Sequence, residues 1–441
     1  MNDNYRDLIK NIDIPIPLPE GKLVKPINFD NAATTPPLKT VVEEINNFIP
    51  WYSSIHRGKG YKSVYSSSEY EKARTVIADF LNFNLKEKTI IFVKNTTEAI
   101  NKLSWRLKNN NDYQIIISTR MEHHSNDLPW RNKFQTEYVE VDPAGRLMLR
   151  ELTRKLKKHR NKKKLVTVTG ISNVTGYINP VHKIARLAHK YNAEIMVDGA
   201  QLIPHLPLEL KSPQHPEHID YLAFSAHKMY APFGTGVLIG PRQTFSKGIP
   251  EYPGGGTVKV VTDDRIIWEE PPHKEEAGTP NIIGVFALAR AIKKLQSIGM
   301  KKIAKQEKAL TTYAIKNLQK IPDLIIYGDS YNIQDRAGII PINIKNINHE
   351  ILATILSEER GIAVRNGCFC AQPYVQRILK IPRDEIMKHL HNPDLTHPGL
   401  VRISFGLYNT FEEIDILIKK LYDIAHNKES YLLKYKNKCN L

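Results

Sequence analysis

Cysteine is scarce in this chain: only Cys368, Cys370 and Cys439 occur among its 441 residues. So few cysteines exclude a disulfide framework and are typical of proteins kept in a reducing compartment. In such a compartment, a cysteine beside a functional site is better interpreted as reactive than as structural. The closely spaced pair Cys368 and Cys370 is therefore a candidate for chemistry.

Long apolar runs are also missing. No stretch approaches the length that a membrane-spanning helix needs, and residues 1–7 lack the apolar centre of a secretion signal. Residues 14–19 (IPIPLP) contain alternating prolines, which predict an extended arm. We therefore expect a soluble, cytoplasmic protein with no membrane partner.

Acidic residues are outnumbered: 63 Lys and Arg stand against 46 Asp and Glu, a formal net charge of +17. The basic residues are dense at 154–164 (RKLKKHRNKKK), and Lys434, Lys436 and Lys438 add charge to the tail. Such patches can bind nucleic acid through its phosphates, but no recognisable nucleic-acid-binding module accompanies this one. A solvated helix end is the favoured interpretation. A colourless, basic nucleic-acid-binding protein is the alternative, and an acidic partner protein or an anionic metabolite also fits.

The length and the 41% hydrophobic content suffice for a large core and more than one domain. Strand-like runs alternate with helical runs from residue 86 to about 240, a pattern typical of a mainly parallel sheet with helices on both faces. We predict an α/β protein with a large domain at 30–295. A smaller α+β domain would combine residues 296–441 with the arm 1–29.

Lys228 follows the apolar run 221–224 (YLAF) and precedes a turn that contains Gly234 and Gly236. A lysine at the end of a buried strand is partly desolvated, so its amine is neutral more often and can attack an aldehyde to form a Schiff base. That chemistry fits pyridoxal phosphate. A lone lysine after a strand is more often the start of a surface loop, so Lys228 needs support from other residues.

Asp198 provides that support, because it ends the run 193–197 (AEIMV). A carboxylate at the carboxyl end of a strand points into the crevice where open α/β sheets hold their ligands. Paired with a pyridinium nitrogen, it would keep that nitrogen protonated and make the ring an electron sink. Alone, Asp198 would more often be a helix or turn cap.

A phosphate cradle is indicated near Thr96 and Thr97. The run 89–93 (TIIFV) predicts a buried strand, and apolar residues at helical spacing come after it. Thr96 and Thr97 then lie at a helix amino end, where free backbone N–H groups and two hydroxyls attract an anion. An ordinary cap, Asn95 with Glu98, is equally compatible with the sequence.

Eight motifs occur in an order that resembles a known family. They resemble those of class V, fold-type I pyridoxal phosphate enzymes, and within these the SUF-type cysteine desulfurases, which are similar to selenocysteine lyases. The resemblance spans about residues 28–413 and implies a seven-stranded sheet sandwiched by helices, pyridoxal phosphate as cofactor, and a homodimer. The motifs are 28–35 (NFDNAATT), 95–99 (NTTEA), 122–126 (EHHSN), 172–176 (SNVTG), 198–201 (DGAQ), 225–228 (SAHK), 277–281 (AGTPN) and 365–370 (RNGCFC).

The resemblance also implies roles for single residues. Lys228 would carry the cofactor covalently, and Asp198 would pair with its pyridinium nitrogen. Gln201 would reach the ring hydroxyl with Asn173 beside it, and Asn173 and Ala32 would also lie near the substrate.

His123 would stack on the ring and move protons, since an imidazole titrates near neutrality; His124 next to it is the competing candidate. The implied phosphate contacts are Thr97, Ser225 and His227, with Thr96 as a weaker candidate and Thr279 reaching in from a partner subunit.

Cys370 lies in a loop bracketed by Gly367 and Pro373. The resemblance implies that its thiolate attacks the sulfur of a cysteine substrate, which leaves a persulfide on Cys370 and releases alanine. The stretch 367–370 (GCFC) is also similar to that of molybdenum cofactor sulfurases, in which the second cysteine aligns with the nucleophile. Cys368 is a resolving thiol, a second sulfur carrier or a packed neighbour. A disulfide between the two would be strained, and no further Cys/His cluster predicts a metal centre here.

An amino acid substrate also needs a carboxylate clamp. Arg402, in the strand-like run 400–405 (LVRISF), matches the family's substrate-binding arginine, and its planar fork suits a bidentate contact. Arg365 is a second candidate. The segment 371–401 is longer than usual for the family, and we expect either a lid over the pocket or a docking surface for a sulfur acceptor.

The predicted reaction converts L-cysteine to L-alanine. The alternatives on the same pocket are selenocysteine lysis and an aminotransferase reaction, which would need a keto acid. The sulfur acceptor stays open between an iron–sulfur assembly scaffold, a thiolation enzyme and a cofactor.

Overall fold

The computed structural model describes residues 5–110, 113–395 and 397–435, so Lys436, Lys438 and Cys439 lie outside it. The strands are β1 (Ile16–Pro17), β2 (Leu23–Val24), β3 (Ile27–Asn28), β4 (Lys88–Val93), β5 (Ile115–Thr119), β6 (Gln135–Val139), β7 (Lys164–Thr169), β8 (Ala193–Asp198), β9 (Tyr221–Ser225), β10 (Gly236–Pro241), β11 (Val258–Val261), β12 (Ile266–Trp268), β13 (Leu324–Ile326), β14 (Ile339–Ile344), β15 (Ile362–Ala363), β16 (Arg365–Gly367) and β17 (Leu400–Ser404).

The helices connect these strands and cover their faces. They are α1 (Lys39–Phe48), α2 (Tyr61–Leu81), α3 (Thr96–Asn109), α4 (Leu128–Arg131), α5 (Leu149–Lys158), α6 (Val181–Lys190), α7 (Leu202–His205), α8 (Arg242–Ser246), α9 (Ile282–Ile298), α10 (Met300–Leu318), α11 (His349–Arg360), α12 (Gln372–Leu379), α13 (Arg383–His391), α14 (Phe411–His426) and α15 (Lys428–Tyr435). Short 3₁₀ turns occur at Tyr5–Leu8, Ile49–Trp51, His124–Asn126, Ala226–Lys228 and His273–Glu275.

The large sheet has seven strands in the order β4-β10-β9-β8-β7-β5-β6. Only β10 runs against the others, since it pairs antiparallel with both β4 and β9, whereas β9, β8, β7, β5 and β6 pair in parallel. The central strands are buried on both faces, which explains why their sequences are continuous apolar runs rather than alternating ones. The predicted α/β fold with a mainly parallel, seven-stranded sheet is confirmed.

Helices pack on both faces of this sheet. Neighbouring residues of β5 point into different cores: Ile116 packs with Leu103 of α3, whereas Ile117 belongs to the core that includes Ile184 of α6 and Leu288 of α9. This alternation is the period of two that strand geometry imposes. The sheet is therefore the middle layer of a three-layer sandwich.

A second, four-stranded sheet lies in the carboxyl-terminal part of the chain, in the order β13-β14-β17-β16. All of its pairings are antiparallel. Its strands bury Ile342 and Ile403 against Leu310 of α10, Leu352 of α11 and Leu417 of α14. The predicted smaller α+β part is confirmed, whereas the domain limits at residues 29/30 and 295/296 stay a prediction.

The two sheets meet where the parallel strands of the large sheet end. Asp30 forms a bridge with Ser404, the last residue of β17, and the Ser404 N–H donates to the Phe29 carbonyl over 2.6 Å. Strands β5, β7, β8 and β9 end at the same edge because they are parallel. The junction therefore brings the end of β17 next to the loops that come after these strands.

The basic stretch 154–164 is partly neutralised by the chain's own acids. Lys158 and His159 both contact Glu137 at 2.7 Å, and Arg154 lies 3.3 Å from Glu151. Such pairs fit the solvated helix end favoured from the sequence.

Within the described residues, no helix combines the length and the apolar character that a membrane span requires.

Candidate active site

One cavity of about 330 Å³ lies at the junction of the two sheets. It brings together all of the site residues predicted from the sequence except Thr279. The predicted residues in its lining are Ala32, Thr96, Thr97, His123, Asn173, Asp198, Gln201, Ser225, His227, Lys228, Arg365, Cys370 and Arg402.

Lys228 ends the 3₁₀ turn that comes after β9 and is half-buried. Burial lowers the pKa of its amine to about 8, although the charge of Asp198 acts in the opposite direction; Arg402 lowers it further. The amine is therefore neutral in an appreciable fraction of molecules at neutral pH. This is the state that attacks carbonyl groups and accepts protons.

Asp198 and Gln201 lie at and just after the end of β8. Burial raises the pKa of the Asp198 carboxyl, and the Ala200 N–H, which donates to Oδ1 over 2.9 Å, partly offsets this rise. Gln201 Nε2 donates to the Ala32 carbonyl over 2.7 Å. Its other amide atom, Oε1, is buried and has no hydrogen-bond partner within the described residues. A buried acceptor without a partner is costly, so a ligand donor at this place would be stabilising.

Hydroxyl groups gather where α3 begins. The Asn95 side chain accepts from the Glu98 N–H, so it caps the helix. The hydroxyls of Thr96 and Ser225 lie 2.6 Å apart, and those of Thr97 and Ser125 lie 2.7 Å apart. The cap and the anion site are thus compatible, because the cap uses the Glu98 N–H and leaves the threonine hydroxyls facing the cavity.

Two imidazoles line the cavity in a neutral state. Burial lowers the pKa of His123 to about 3 and that of His227 to about 4, and the charge of Lys228 acts in the same direction on both. His124 is directed away from the cavity: its Nε2 accepts from the Gln372 N–H over 3.3 Å. The structure therefore places His123, and not His124, beside Lys228.

Arg402 is buried, with 3% of its surface exposed. Its Nη1 donates to the Asn173 carbonyl over 2.9 Å, its Nη2 lies 3.2 Å from Asp30, and its guanidinium packs 4.8 Å from the centre of the Phe369 ring. Burial lowers its pKa to about 10, and Asp30 opposes this, so the group stays charged at neutral pH. Asp30 also pairs with Arg365 at 2.7 Å, which joins both arginines to one carboxylate.

The cysteine loop has an unusual backbone. Phe369 and Cys370 both have φ of 53°, in the left-handed region that costs about 1–2 kcal/mol for each L residue. Contacts from distant segments hold this conformation: Asn173 Nδ2 donates to the Phe369 carbonyl over 2.8 Å, and the His124 N–H donates to the Cys370 carbonyl over 2.6 Å. The result is an exposed Cys370 side chain at the cavity.

Cys368 has a different environment from Cys370. It is only partly exposed, and its thiol donates to the Pro398 carbonyl over 3.3 Å. Burial raises its pKa, and the neighbouring Cys370 adds to the rise. A protonated thiol is a poor nucleophile, so this arrangement agrees with a packed neighbour.

The long segment 371–401 contains two helices, and neither lines the cavity. The first, α12, is anchored by Tyr374, whose buried hydroxyl donates to the Gly145 carbonyl over 2.6 Å and lies 3.0 Å from the Thr175 hydroxyl. The second, α13, has no buried residue. Whether the segment covers the pocket as a lid or docks a partner stays a prediction.

Comparison with known proteins agrees with this geometry. The sequence profile of the aminotransferase class-V family matches residues 27–417. A probable cysteine desulfurase from Halalkalibacterium halodurans is 36% identical over 403 residues, which cover 90% of this chain and 92% of that protein. The chain belongs to the cysteine desulfurase family of class-V aminotransferases. The narrower SUF-type assignment stays a prediction.

Other members of the family support the match in sequence and in structure. A probable cysteine desulfurase from Mycolicibacterium paratuberculosis is 35% identical over 422 residues; the match covers 94% of this chain but only 57% of that longer protein. The apo structure of cysteine desulfurase from Thermococcus onnurineus shares 31% identity and a TM-score of 0.81, and covers 91% of this chain and 95% of its own.

The family is dependent on pyridoxal phosphate, and the cavity has the groups that this cofactor needs. The Lys228 amine matches its aldehyde, and the buried Asp198 carboxylate matches its pyridinium nitrogen. Gln201 Oε1, which has no hydrogen-bond partner within the described residues, matches its ring hydroxyl. The hydroxyl-rich start of α3 matches its phosphate. This donor set therefore fits the cofactor.

Thr279 lies outside the cavity of Lys228, and its predicted contact with a partner subunit stays a prediction. It is exposed and lines a second cavity together with Lys94, Glu98 and Tyr252. It does not reach the cavity of Lys228 in the same chain.

Three residues that shape the site were not predicted from the sequence. Ser125 contacts Thr97, Asp30 joins the two arginines, and Phe369 packs on Arg402. Each lies within one of the eight motifs, but only the folded contacts reveal its partner.

Proposed function

We propose that this enzyme is a pyridoxal phosphate-dependent cysteine desulfurase that converts L-cysteine to L-alanine and collects the sulfur as a persulfide on Cys370. The observation that carries the proposal is that an exposed thiol, Cys370, lines the same cavity as Lys228 and the buried Arg402. A thiol at this position serves sulfur removal, whereas amino transfer has no use for it.

The cofactor is held by the chain's own groups. Lys228 would bind it covalently, Asp198 would pair with the ring nitrogen and Gln201 with the ring hydroxyl, and His123 would stack on the ring. Its phosphate would be held by Thr96, Thr97, Ser225 and His227. When bound, pyridoxal phosphate supplies an aldehyde that joins an amine and a ring that takes up electrons from the substrate's α-carbon.

Arg402 binds the substrate carboxylate. Its guanidinium is buried and charged, and its Nε has no hydrogen-bond partner within the described residues. Arg365, Asn173 and Ala32 complete the substrate side of the cavity. Asp30 keeps both arginines in place between turnovers.

Proton transfer at the α-carbon is assigned to Lys228. The substrate's amine would replace Lys228 on the cofactor and free its Nζ, whose pKa of about 8 leaves a neutral fraction that accepts the α-proton and returns it later. His123 is neutral at physiological pH because its pKa is about 3, so it stacks without adding a second positive charge beside Lys228.

Cys370 removes the sulfur. Its thiolate attacks the substrate's sulfur, so that an S–S bond forms as the substrate's C–S bond breaks. The electrons of the broken bond stay with the three-carbon product, which takes up protons and leaves as alanine. The outer sulfur then passes to an acceptor protein or a small molecule, or is released as sulfide by an added thiol reductant.

The proposal extends to the assembly. Thr279 is exposed and lies outside the Lys228 cavity of its own chain, so we assign it to the phosphate site of a second copy in a homodimer.

The test compares Cys370→Ala with Cys368→Ala. Both proteins are incubated with cysteine and a thiol reductant, and alanine and sulfide are quantified. Cys370→Ala should lose at least about two orders of magnitude in alanine formation, since it lacks the nucleophile. Cys368→Ala should keep most of it, because the Cys368 thiol is protonated and hydrogen-bonded to Pro398. Undiminished alanine release by Cys370→Ala, with cofactor absorbance retained in both variants, would place the nucleophile elsewhere.

A further inference from the structure

A cluster formed by His56, Glu71 and His273 lies outside the cofactor cavity. One ring nitrogen of each histidine and a carboxylate oxygen of Glu71 all lie within 4.8 Å of one another. We infer that this cluster binds a divalent transition-metal ion of the zinc type.

The two imidazole rings lie close together and are steeply inclined to each other. Their ring centres are 4.9 Å apart and their planes are inclined by 80°. The lone pair of an imidazole nitrogen lies in the ring plane, and two nearly perpendicular planes intersect along a line on which both lone pairs can meet. Within the described residues, neither ring of His56 or His273 takes part in a hydrogen bond or ion pair.

Glu71 supplies a carboxylate oxygen that lacks another partner. Its Oε2 accepts from Arg74 Nε over 3.0 Å, but Oε1 is shielded from solvent and has no hydrogen bond within the described part of the chain. Such an oxygen is costly unless a cation or a donor reaches it. Arg74 does not fill this need, because its other nitrogens pair with Glu276 at 2.8 and 3.0 Å. Glu71 and Glu276 carry two negative charges against the single positive charge of Arg74. This local excess of negative charge favours a bound cation.

The donor set decides the kind of ion. Imidazole nitrogens suit zinc, copper, iron and nickel, whereas magnesium and calcium prefer sites made of oxygen. Two histidines and one glutamate leave a fourth position of a tetrahedral zinc ion for water. The ligands are far apart in the sequence, which explains why their spacing does not predict the site.

The ion would connect three separate segments. His56 lies in the loop before α2, Glu71 lies in α2, and His273 begins the 3₁₀ turn at His273–Glu275. That turn leads, six residues after His273, to Thr279. We assign the ion a structural role in fixing this turn. This role rests on the proposed function of Thr279, whereas metal binding itself does not.

A second cluster, His189, His218 and Asp220, is a natural control. Its rings stack almost parallel, with centres 4.0 Å apart and planes inclined by 14°. Each Nδ1 already faces a backbone carbonyl, that of Pro216 at 2.9 Å or His215 at 2.7 Å, and each Nε2 lies 2.9 Å from Asp220. Its polar atoms are satisfied without an ion.

The test is a zinc titration of the untagged, full-length holoenzyme by calorimetry, with bound zinc counted after gel filtration. The thiols are first blocked with N-ethylmaleimide, because Cys368 and Cys370 are alternative soft ligands. The wild type and His189→Ala should each bind one zinc ion per chain. His273→Ala, His56→Ala and Glu71→Gln should each weaken binding by more than roughly 100-fold, beyond the loss seen when an outer-sphere partner is removed.

Cobalt provides an independent readout, since Co²⁺ in a low-coordinate site gives intense visible absorption that the His273 and His56 variants should lose. His56 is exposed, but its φ of 69° lies in the left-handed region and its ring packs on Tyr70, so circular dichroism and cofactor retention must verify the fold of every variant. The proposal is overturned if the wild type binds no zinc, if the His56 and His273 variants bind it as tightly as the wild type, or if His189→Ala abolishes binding.

Discussion

Arg402 shows at the scale of single residues how the site is prepared for a ligand. The guanidinium is 3% exposed, has one carboxylate partner in Asp30, and leaves its Nε unpaired within the described residues. A buried donor without a partner costs about 1–3 kcal/mol. A substrate carboxylate would relieve this cost, which makes Arg402 the better clamp candidate than Arg365, whose side chain is 51% exposed.

Arg402→Lys should lower kcat/KM for cysteine by roughly 10- to 100-fold, because an ammonium group cannot replace a bidentate, charge-assisted contact worth about 1.5–3 kcal/mol. Arg365→Lys is the matched control and should have a smaller effect. Steady-state alanine formation across cysteine concentrations measures both. A larger loss in Arg365→Lys than in Arg402→Lys would reverse the assignment.

At the scale of elements, strands were easier to predict from the sequence than loops. The run 89–93 became β4 (Lys88–Val93), and Asn95 caps α3 as the sequence indicates. Thr96 and Thr97 line the cavity, whereas their anion site stays a prediction. Continuous apolar runs and caps are local signals. The left-handed backbone at Cys370 has no such signal, because it depends on hydrogen bonds from residues remote in sequence.

The helix α12, which comes after Cys370, is held by the buried hydroxyl of Tyr374. Tyr374→Phe leaves the Gly145 carbonyl without this donor and should lower the free energy of unfolding by about 1–3 kcal/mol, as measured by urea denaturation. Tyr331→Phe, at a side chain 93% exposed, should change it by less than about 0.5 kcal/mol. Equal effects of the two changes would show that α12 is not anchored in this way.

At the scale of the whole molecule, the order of the motifs was enough to predict the fold and the gathering of distant residues into one cavity. Lys228 and Asp198 could be placed together because consecutive parallel strands end at one edge. The cluster of His56, Glu71 and His273 could not, because no strand register or local spacing relates a loop, a helix face and a 3₁₀ turn.

The proposed homodimer predicts complementation between variants. In a mixed dimer, one chain carries Lys228→Ala and the other carries Thr279→Ala. The site of the Thr279→Ala chain has its own Lys228 and also Thr279 of the partner subunit. The site of the Lys228→Ala chain has neither residue. Thr279→Ala homodimers should therefore release pyridoxal phosphate faster than the wild type, whereas mixed dimers should keep one slowly releasing site. Light scattering should give the mass of a dimer. A monomer, or fast release from both sites of the mixed dimer, would contradict this assembly.

The most direct measurement concerns Lys228. The native holoenzyme is reduced with borohydride, and its intact mass and peptide map are determined beside those of Lys228→Ala. One phosphopyridoxyl group per chain, located on Lys228 and absent from the variant, is the expected result. No adduct on the native protein, or an adduct on a different lysine, would contradict the assignment of this cavity as the cofactor site.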